Sequence, residues 1–410
     1  MIKVWADSAE AGLIDRHGRR GSTFAYLTGS TPTCAVSITM PVRLASWNQD
    51  YGLAPIFEMN LPEGALRERL RLAFAKATGT FDDFDLLTIV GRSQVGRLRY
   101  TARDDKLDEG VPFQSVDEIL KARRDGELFS HLIEKFASYS GISGIQPKVL
   151  VRDPGTSQIL RADKRRLSQS FRGATHIVKL WDPAEYPQLA ANEYFCLRVA
   201  QHCQLDVPSF QLAENGAALV VDRFDLRDDG TYRGVEDFCV LNGRPTAEKY
   251  NGSYETAVIK RLNDYVDNRN LAADSEKLFT LIALNVAVRN GDAHLKNFAL
   301  VYDDVEGEAR LAPVYDIVTT AVYLPADRMA LTLDGSTKWP DARRLQRLGE
   351  TRLMLSPSRA REIMARIGDA MSKTRGEIQT YRKDHPEFDD VATSMLQQWD
   401  IGMQQALMAS

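Results

Sequence analysis

The sequence predicts an α+β fold in two lobes: a mixed α/β N-lobe with an added small N-terminal subdomain, and a mainly helical C-lobe. Three observations lead there. Short strand candidates punctuated by Gly, Asp and Pro fill residues 1 to about 105. A Ser/Gly loop, a strand carrying a lysine, a helix and a hairpin follow, up to about residue 240. From about Ser253 the apolar spacing turns helical, and Ser275–Val288 leaves no polar face, as the core helix of a lobe requires. The expected domains are therefore 1–105, 106–240 and 241–410.

Bulk properties set the outer limits. A chain of 410 residues, 44% hydrophobic and 26% charged, has material for two or more cores. A net charge of −4 argues against holding nucleic acid by an overall field. The four cysteines (Cys34, Cys196, Cys203, Cys239) form no C-x-x-C pair and have no histidine at zinc spacing, so free thiols of a reducing compartment are expected. The start, Met1–Asp7, lacks a signal peptide's apolar core, and apolar runs fall short of the ~20 residues a membrane span needs. A cytoplasmic chain with no membrane partner is the expectation.

In chain order, strands are expected at Lys3–Ala6, Gly12–Ile14, Gly21–Tyr26 and Ala35–Met40, then helices at Ala65–Ala77 and Phe84–Val90. Nothing in these residues carries chemistry, and a docking or scaffold role is expected. Short helices are expected at Val116–Arg123 and Leu128–Phe136, the second with His131 beside its stripe, facing solvent or structural. Ser138–Val151 is a loop of serines and glycines opening into a strand; small residues let backbone N–H groups approach phosphate oxygens. A basic loop is expected at Arg161–Arg172. Thr175–Trp181 reads as a buried strand in which Lys179 is costly unless its charge is paired. In the helix Leu189–Gln201, Glu193 can pair with Lys179 or serve the helix dipole. Strands at Leu205–Gln211 and Ala217–Asp225 precede an extended hinge, Val235–Cys239. Helices are expected at Tyr254–Asn268 and Ser275–Val288, a hairpin at Phe298–Tyr302 and Arg310–Val314, and helices through Pro340–Ser410.

The densest chemistry lies in Arg289–Asn297, directly after the buried helix. Asp292 and Asn297 are five apart, and Asp316 follows one hairpin later. Phosphoryl transfer needs this set: one carboxylate to take or orient a hydroxyl proton, and an amide plus a carboxylate to hold Mg²⁺. His294 stands two residues after the acid, Lys296 brings a cation for a γ-phosphate, and Lys148 and Lys179 can cover a triphosphate. Asn-Gly-Asp is also a good turn sequence, so order decides. Loop, strand lysine, helix acid, hinge, buried helix, D-x-x-x-x-N and acid succeed one another as in a protein-kinase-like fold.

Gly141–Lys148, His176–Leu180, Asn192–Tyr194, Asp222–Asp225, Asn290–Asn297 and Pro313–Ile317 together resemble the HipA family of serine/threonine-protein kinase toxins. Leu61–Gly64 and Phe84–Leu98 are similar to that family's small N-terminal subdomain. The resemblance implies an ATP- and Mg²⁺-dependent kinase, the toxin of a type II toxin–antitoxin pair. It implies a helix-turn-helix antitoxin (HipB-like) as partner, operator DNA reached through that antitoxin, and a protein substrate such as an aminoacyl-tRNA synthetase. By motif match, Asp292 is the catalytic acid, and Asn297 with Asp316 are the metal ligands. ATP contacts fall to Ser143, Gly144, Ile145, Gln146, Pro147, Lys148, Lys179, Glu236, Asp237, Phe238, His294, Lys296, Asn297, Tyr315 and Asp316. Family members often autophosphorylate a serine where this chain has Gly141; here the serine two residues on, Ser143, would take that role. The residues alone leave two alternatives: a small-molecule kinase of the aminoglycoside or choline type, and a non-catalytic co-repressor using Arg343, Arg344, Arg347 and Arg352.

Overall fold

The computed structural model describes residues 1–18, 20–78, 81–122, 127–161, 171–181 and 185–408. Most of the expected basic loop Arg161–Arg172 (162–170) lies outside them, as does Arg123 at the end of an expected helix. The chain divides into two compact units, Met1–Leu180 with Ala213–Thr246 and Val301–Glu308, and Trp181–Leu212 with Ala247–Leu300 and Ala309–Ser410.

The first unit opens with an antiparallel sheet of β1 (Ile2–Ala6), β2 (Ala9–His17), β3 (Gly21–Tyr26), β4 (Trp47–Gln49) and β5 (Leu98–Ala102), in the order β4-β3-β2-β1-β5. In β1 burial alternates strictly, so one face of the strand meets the core. Helices α1 (Gly64–Thr78) and α2 (Asp83–Val90) follow, the second started by a capping box between Asp82 and Asp85. After α3 (Val116–Leu120) and α4 (Glu127–Phe136), β6 (Lys148–Val151), β7 (His176–Leu180) and β8 (Ala218–Asp222) pair antiparallel. The strand β9 (Gly234–Asp237) ends in a helical turn, Phe238–Leu241. β6, β7 and β9 are buried at every residue, so an interior filled from both sheet faces explains their unalternating sequences.

The second unit is built on α5 (Leu189–His202), α6 (Asn268–Ala287), α7 (Ala342–Arg352), α8 (Pro357–Asp384) and α9 (Asp389–Ala406). α6 packs on α8 and α9, and α8 on α5. Side chains start these helices where the sequence offers them: Asp267 for α6, Asp341 for α7, and Ser356 ahead of Pro357 for α8.

Five expectations are corrected. Ala35–Met40 is not a strand, because Ile38 N–H donates to the Glu236 carboxylate at 2.8 Å instead of a ladder. Leu205–Gln211 is extended only at its end, Phe210–Leu212; Pro208 cannot donate to a neighbour. The hinge Val235–Cys239 stops at Asp237, whose carboxylate accepts Val240 N–H and starts a helical turn at Phe238. Tyr254–Asn268 is a π-helical turn, Tyr254–Ile259, followed by an α-helix that ends at Tyr265, where Val266 turns extended to bridge Ala309. Val116–Arg123 closes early, at Leu120. Elements that went unread include β4, β5 and the helices Pro55–Glu58 and Pro154–Arg161.

Candidate functional site

The candidate residues fall into two groups, one in each unit. In the first unit, β6 and β7 place Lys148 directly opposite Lys179, each only 4% exposed. Two lysines opposite each other on one face are unfavourable unless each charge is paired. In the loop before β6, Gly144 has φ +128, a backbone conformation that L side chains rarely adopt, and a Cβ there would stand 2.6 Å from Lys148 Nζ. Gln146 Nε2 is buried with no hydrogen-bond partner among the described residues, a donor left over for a ligand. Ile145 stands out to solvent, and Pro147 O accepts the Leu180 N–H, tying the loop's end to β7. Ser143 Oγ donates to Glu63 Oε1 at 2.5 Å.

The hinge residues behave differently from one another. The Glu236 carboxylate is fully buried, and burial pushes its pKa up against hydrogen bonds from Ser37 Oγ (2.6 Å), Ile38 N (2.8 Å) and Tyr302 Oη (2.7 Å). That side chain is committed to the core, so any nucleotide contact at Glu236 must come from its backbone. Asp237 is spent as a helix cap, and Phe238 is fully buried.

In the second unit the loop after α6 is locked by its own side chains. Arg289 takes a left-handed φ of 60, and Asn290 returns to the helix by donating from Nδ2 to Asn285 Oδ1 at 2.7 Å. Asn290 Oδ1 then accepts Asp292 N–H. Gly291 is required by a close approach, since a Cβ would collide with the Asp327 carboxylate. His294 N–H donates to Asn297 Oδ1 (3.1 Å) and Asn297 N–H to His294 O (3.0 Å), closing a tight turn at Leu295–Asn297. The Asp292 carboxyl is pushed up mainly by burial, offset by a hydrogen bond from Tyr250 Oη at 2.8 Å and by the Lys249 charge, with Asp316 and Asp327 pushing it further up. Burial first, then Lys249, drives His294 down to about 3. It is therefore a neutral imidazole, and its Nδ1 has no hydrogen-bond partner among the described residues.

Asp316 also has a left-handed φ, 54, a conformation that costs roughly 1–3 kcal/mol and tends to cluster at functional sites. Asn297 Nδ2 reaches Asp316 O at 3.5 Å, and Tyr315 Oη donates to Lys296 O at 2.9 Å. Asn192 pins the segment beyond: its side chain accepts Thr319 N–H (2.9 Å) and donates to Thr319 O (3.1 Å). Asp292, His294, Lys296, Asn297, Tyr315 and Asp316 are thus one local assembly within the second unit. Its amide and carboxylate oxygens are the hard donors that Mg²⁺ takes, and few of them suffice beside a phosphate. Among the described residues no group of three or more His, Cys, Asp or Glu could hold a metal ion.

Sequence reading missed Lys249, Tyr250, Asp327 and Glu63. All lie far along the chain from the site residues they meet, and even Glu63, inside the Leu61–Gly64 segment, had no role assigned to it. In the arginine cluster of α7, Arg344 is drawn to Asp334 (3.7 Å) and Leu333 O (2.9 Å). No helix among the described residues is long and apolar enough to cross a membrane.

Comparison with known proteins bears on the whole chain. The family model described as the HipA N-terminal domain matches residues 2–101, and that of the HipA-like C-terminal domain matches residues 140–375. A putative kinase of Sinorhizobium fredii, Y4mE, is 32% identical over 348 residues, 79% of this chain and 78% of its own length. A second from the same organism, Y4dM, is 26% identical over 329 residues, 75% and 73% of the two lengths. Among solved structures, HipA of Shewanella oneidensis, in a complex with HipB and its operator DNA, superposes with a TM-score of 0.67. It covers 99% of this chain and 97% of its own at 17% identity, a likeness of fold.

Proposed function

The chain belongs to the HipA family and has its kinase-like fold, and from there we propose that it is an ATP- and Mg²⁺-dependent serine/threonine-protein kinase of the cytoplasm, the toxin of a HipA/HipB-type module. The observation that carries the reading is the loop Asn290–Asn297: a buried carboxylate, Asp292, already accepting a hydroxyl from Tyr250, beside the oxygens of Asn297 and Asp316. Bound ATP with its divalent ion would supply the phosphoryl group and neutralise its charge. Asp292 orients the acceptor hydroxyl and takes its proton. Asn297 and Asp316 would hold the ion. Lys148, Lys179 and the loop Ser143–Lys148 would bind the phosphates, and His294 acts as a neutral hydrogen-bonding group. The backbone of Glu236–Phe238 reads the base, and Lys296 and Tyr315 complete the nucleotide contacts.

The domains in this reading are 1–105, 106–240 and 241–410. The partners are a helix-turn-helix antitoxin, with which the chain represses its own operator, and a protein of translation such as an aminoacyl-tRNA synthetase. A relative in fold stands in such a complex with HipB and operator DNA, which supports the antitoxin. Self-phosphorylation, if it operates here, runs through Ser143; mass spectrometry after incubation with Mg-ATP is expected to find phosphate there, and phosphate only elsewhere would remove Ser143 from this role. The wild type is expected to transfer labelled γ-phosphate to protein in a cell lysate, and Asp292→Asn to lose this by about 10³-fold or more. If both are inert yet both bind operator DNA with the antitoxin, the chain is a co-repressor and not a kinase.

A further inference from the structure

The loop assigned to phosphate binding is held at two points near its start by the N-terminal segment, in which the sequence shows no chemistry. At one, Ser143 Oγ donates to Glu63 Oε1 at 2.5 Å. Just before it, Gly141 N–H donates to Ser93 O (2.9 Å) and Val95 N–H to Gly141 O (3.3 Å), a parallel bridge between Gln94 and Gly141. A Cβ on Gly141 would run into the Gln94 side chain and come to 2.7 Å from Ser93 O, so no serine can stand there without displacing the bridge. The Gln94–Gly96 turn is itself immobilised. Gly96 N–H donates to Asp225 Oδ2 at 2.7 Å, and Arg223 Nη2 donates to Gln94 O at 2.8 Å. Arg223 and Asp225 form an ion pair that is all but fully buried.

A backbone bridge and a carboxylate contact make different kinds of hold. The Gly141 bridge is built into the packing, whereas the Ser143–Glu63 bond is one part-buried, charge-assisted contact that a ligand or a modification can open. We infer that Glu63 is a positioning residue for the phosphate loop: its carboxylate fixes Ser143, and with it the backbone N–H groups of Ser143–Gln146, so that the N-terminal domain sets nucleotide affinity. The link to nucleotide rests on the kinase reading; the link to the loop does not. Preorganising a loop acts on binding more than on the chemical step.

The test uses the full chain with Glu63→Ala, Glu63→Gln, Ser143→Ala and the double variant Glu63→Ala/Ser143→Ala. KM for ATP is expected to rise about tenfold in Glu63→Ala, which is about 1.4 kcal/mol, with kcat changed by less than about twofold. Glu63→Gln keeps an acceptor for the serine hydroxyl and is expected to stay near wild type. Ser143→Ala is expected to raise KM in the same direction, and the double variant by less than the product of the two single changes, since both remove the Ser143–Glu63 bond. Hydrogen exchange on the nucleotide-free protein supplies the second readout: the amides of Ile142–Gln146 are expected to exchange several-fold faster in Glu63→Ala and Ser143→Ala, and as in wild type in Glu63→Gln. Unchanged exchange in Glu63→Ala, or losses that add in full in the double variant, would overturn the proposal. A wild type without ATP turnover, but with faster loop exchange in Glu63→Ala, would remove the kinase reading and leave the clamp standing.

Discussion

His294 and Asp292 sit two residues apart in one loop, and burial drives both toward their neutral forms. For the imidazole the result is a pKa near 3. The unfolded histidine titrates near ~6.5, so folding stability is expected to fall as pH drops from about 6.5 toward 3, and to be indifferent to this group above that window. The same shift predicts that the pH profile of kcat/KM has no limb from His294 between about 5 and 8. For Asp292 the direction is upward, and the Tyr250 hydroxyl opposes it. Tyr250→Phe deletes a hydrogen bond worth ~1 kcal/mol to the ionised form, so the acid limb of kcat/KM should move up by roughly 0.5–1 pH unit. Tyr250 is 44% exposed, so the substitution leaves the core alone. An acid limb that stays in place would mean that Tyr250 does not set the Asp292 proton affinity.

At the scale of elements, the turn between β8 and β9 shows how a short motif is kept in place. Arg223 Nε donates to Asp225 Oδ1 at 3.0 Å, and Asp225 also accepts Gly96 N–H, in a pair that is 0% and 1% exposed. Removing one partner strands the other's charge, so Asp225→Ala is expected to cost about 3–5 kcal/mol in urea denaturation, and Asp225→Asn distinctly less. Burial of this kind also decides what the sequence revealed. Mostly apolar strands such as β8, and helices begun by Asp82 or Ser356, were legible because their signals are local. The loop Asn290–Asn297 was legible for the same reason, its capping and Asx contacts spanning only a few residues. β5 was not, because Arg99 interrupts its apolar run, and its burial is made tolerable by Glu109 at 2.9 Å and by the Gly96 and Leu98 carbonyls. Tyr250 lies 42 residues from Asp292, and Glu63 lies 80 from Ser143. No periodicity spans such gaps, so contacts of that kind come only from the fold.

For the molecule as a whole, the question is whether the N-terminal 105 residues, a domain of their own by sequence and by family model, are also one physically. The first unit's core argues that they are not. Ile2, Val4, Phe57 and Tyr100 belong to the same buried cluster as Val149, Val178 and Val220. The helices α1 and α2 that cover the N-terminal sheet pack on Ala137–Tyr139, which in turn meets β6, so one connected core runs through both parts and neither is complete without the other. Such segments unfold together, since opening one exposes the apolar surface of both. Hydrogen exchange of the full chain under native conditions is expected to give amides of β1 and β2 the same opening free energy as those of β7 and β8, within about 1 kcal/mol. A chain begun near residue 106 would expose Val149, Val178 and their neighbours, and is expected to aggregate rather than fold. If β1 and β2 instead open several kcal/mol more readily than β7, the N-terminal segment is a separable domain, and its hold on the phosphate loop is a docking equilibrium instead of a fixed part of the core.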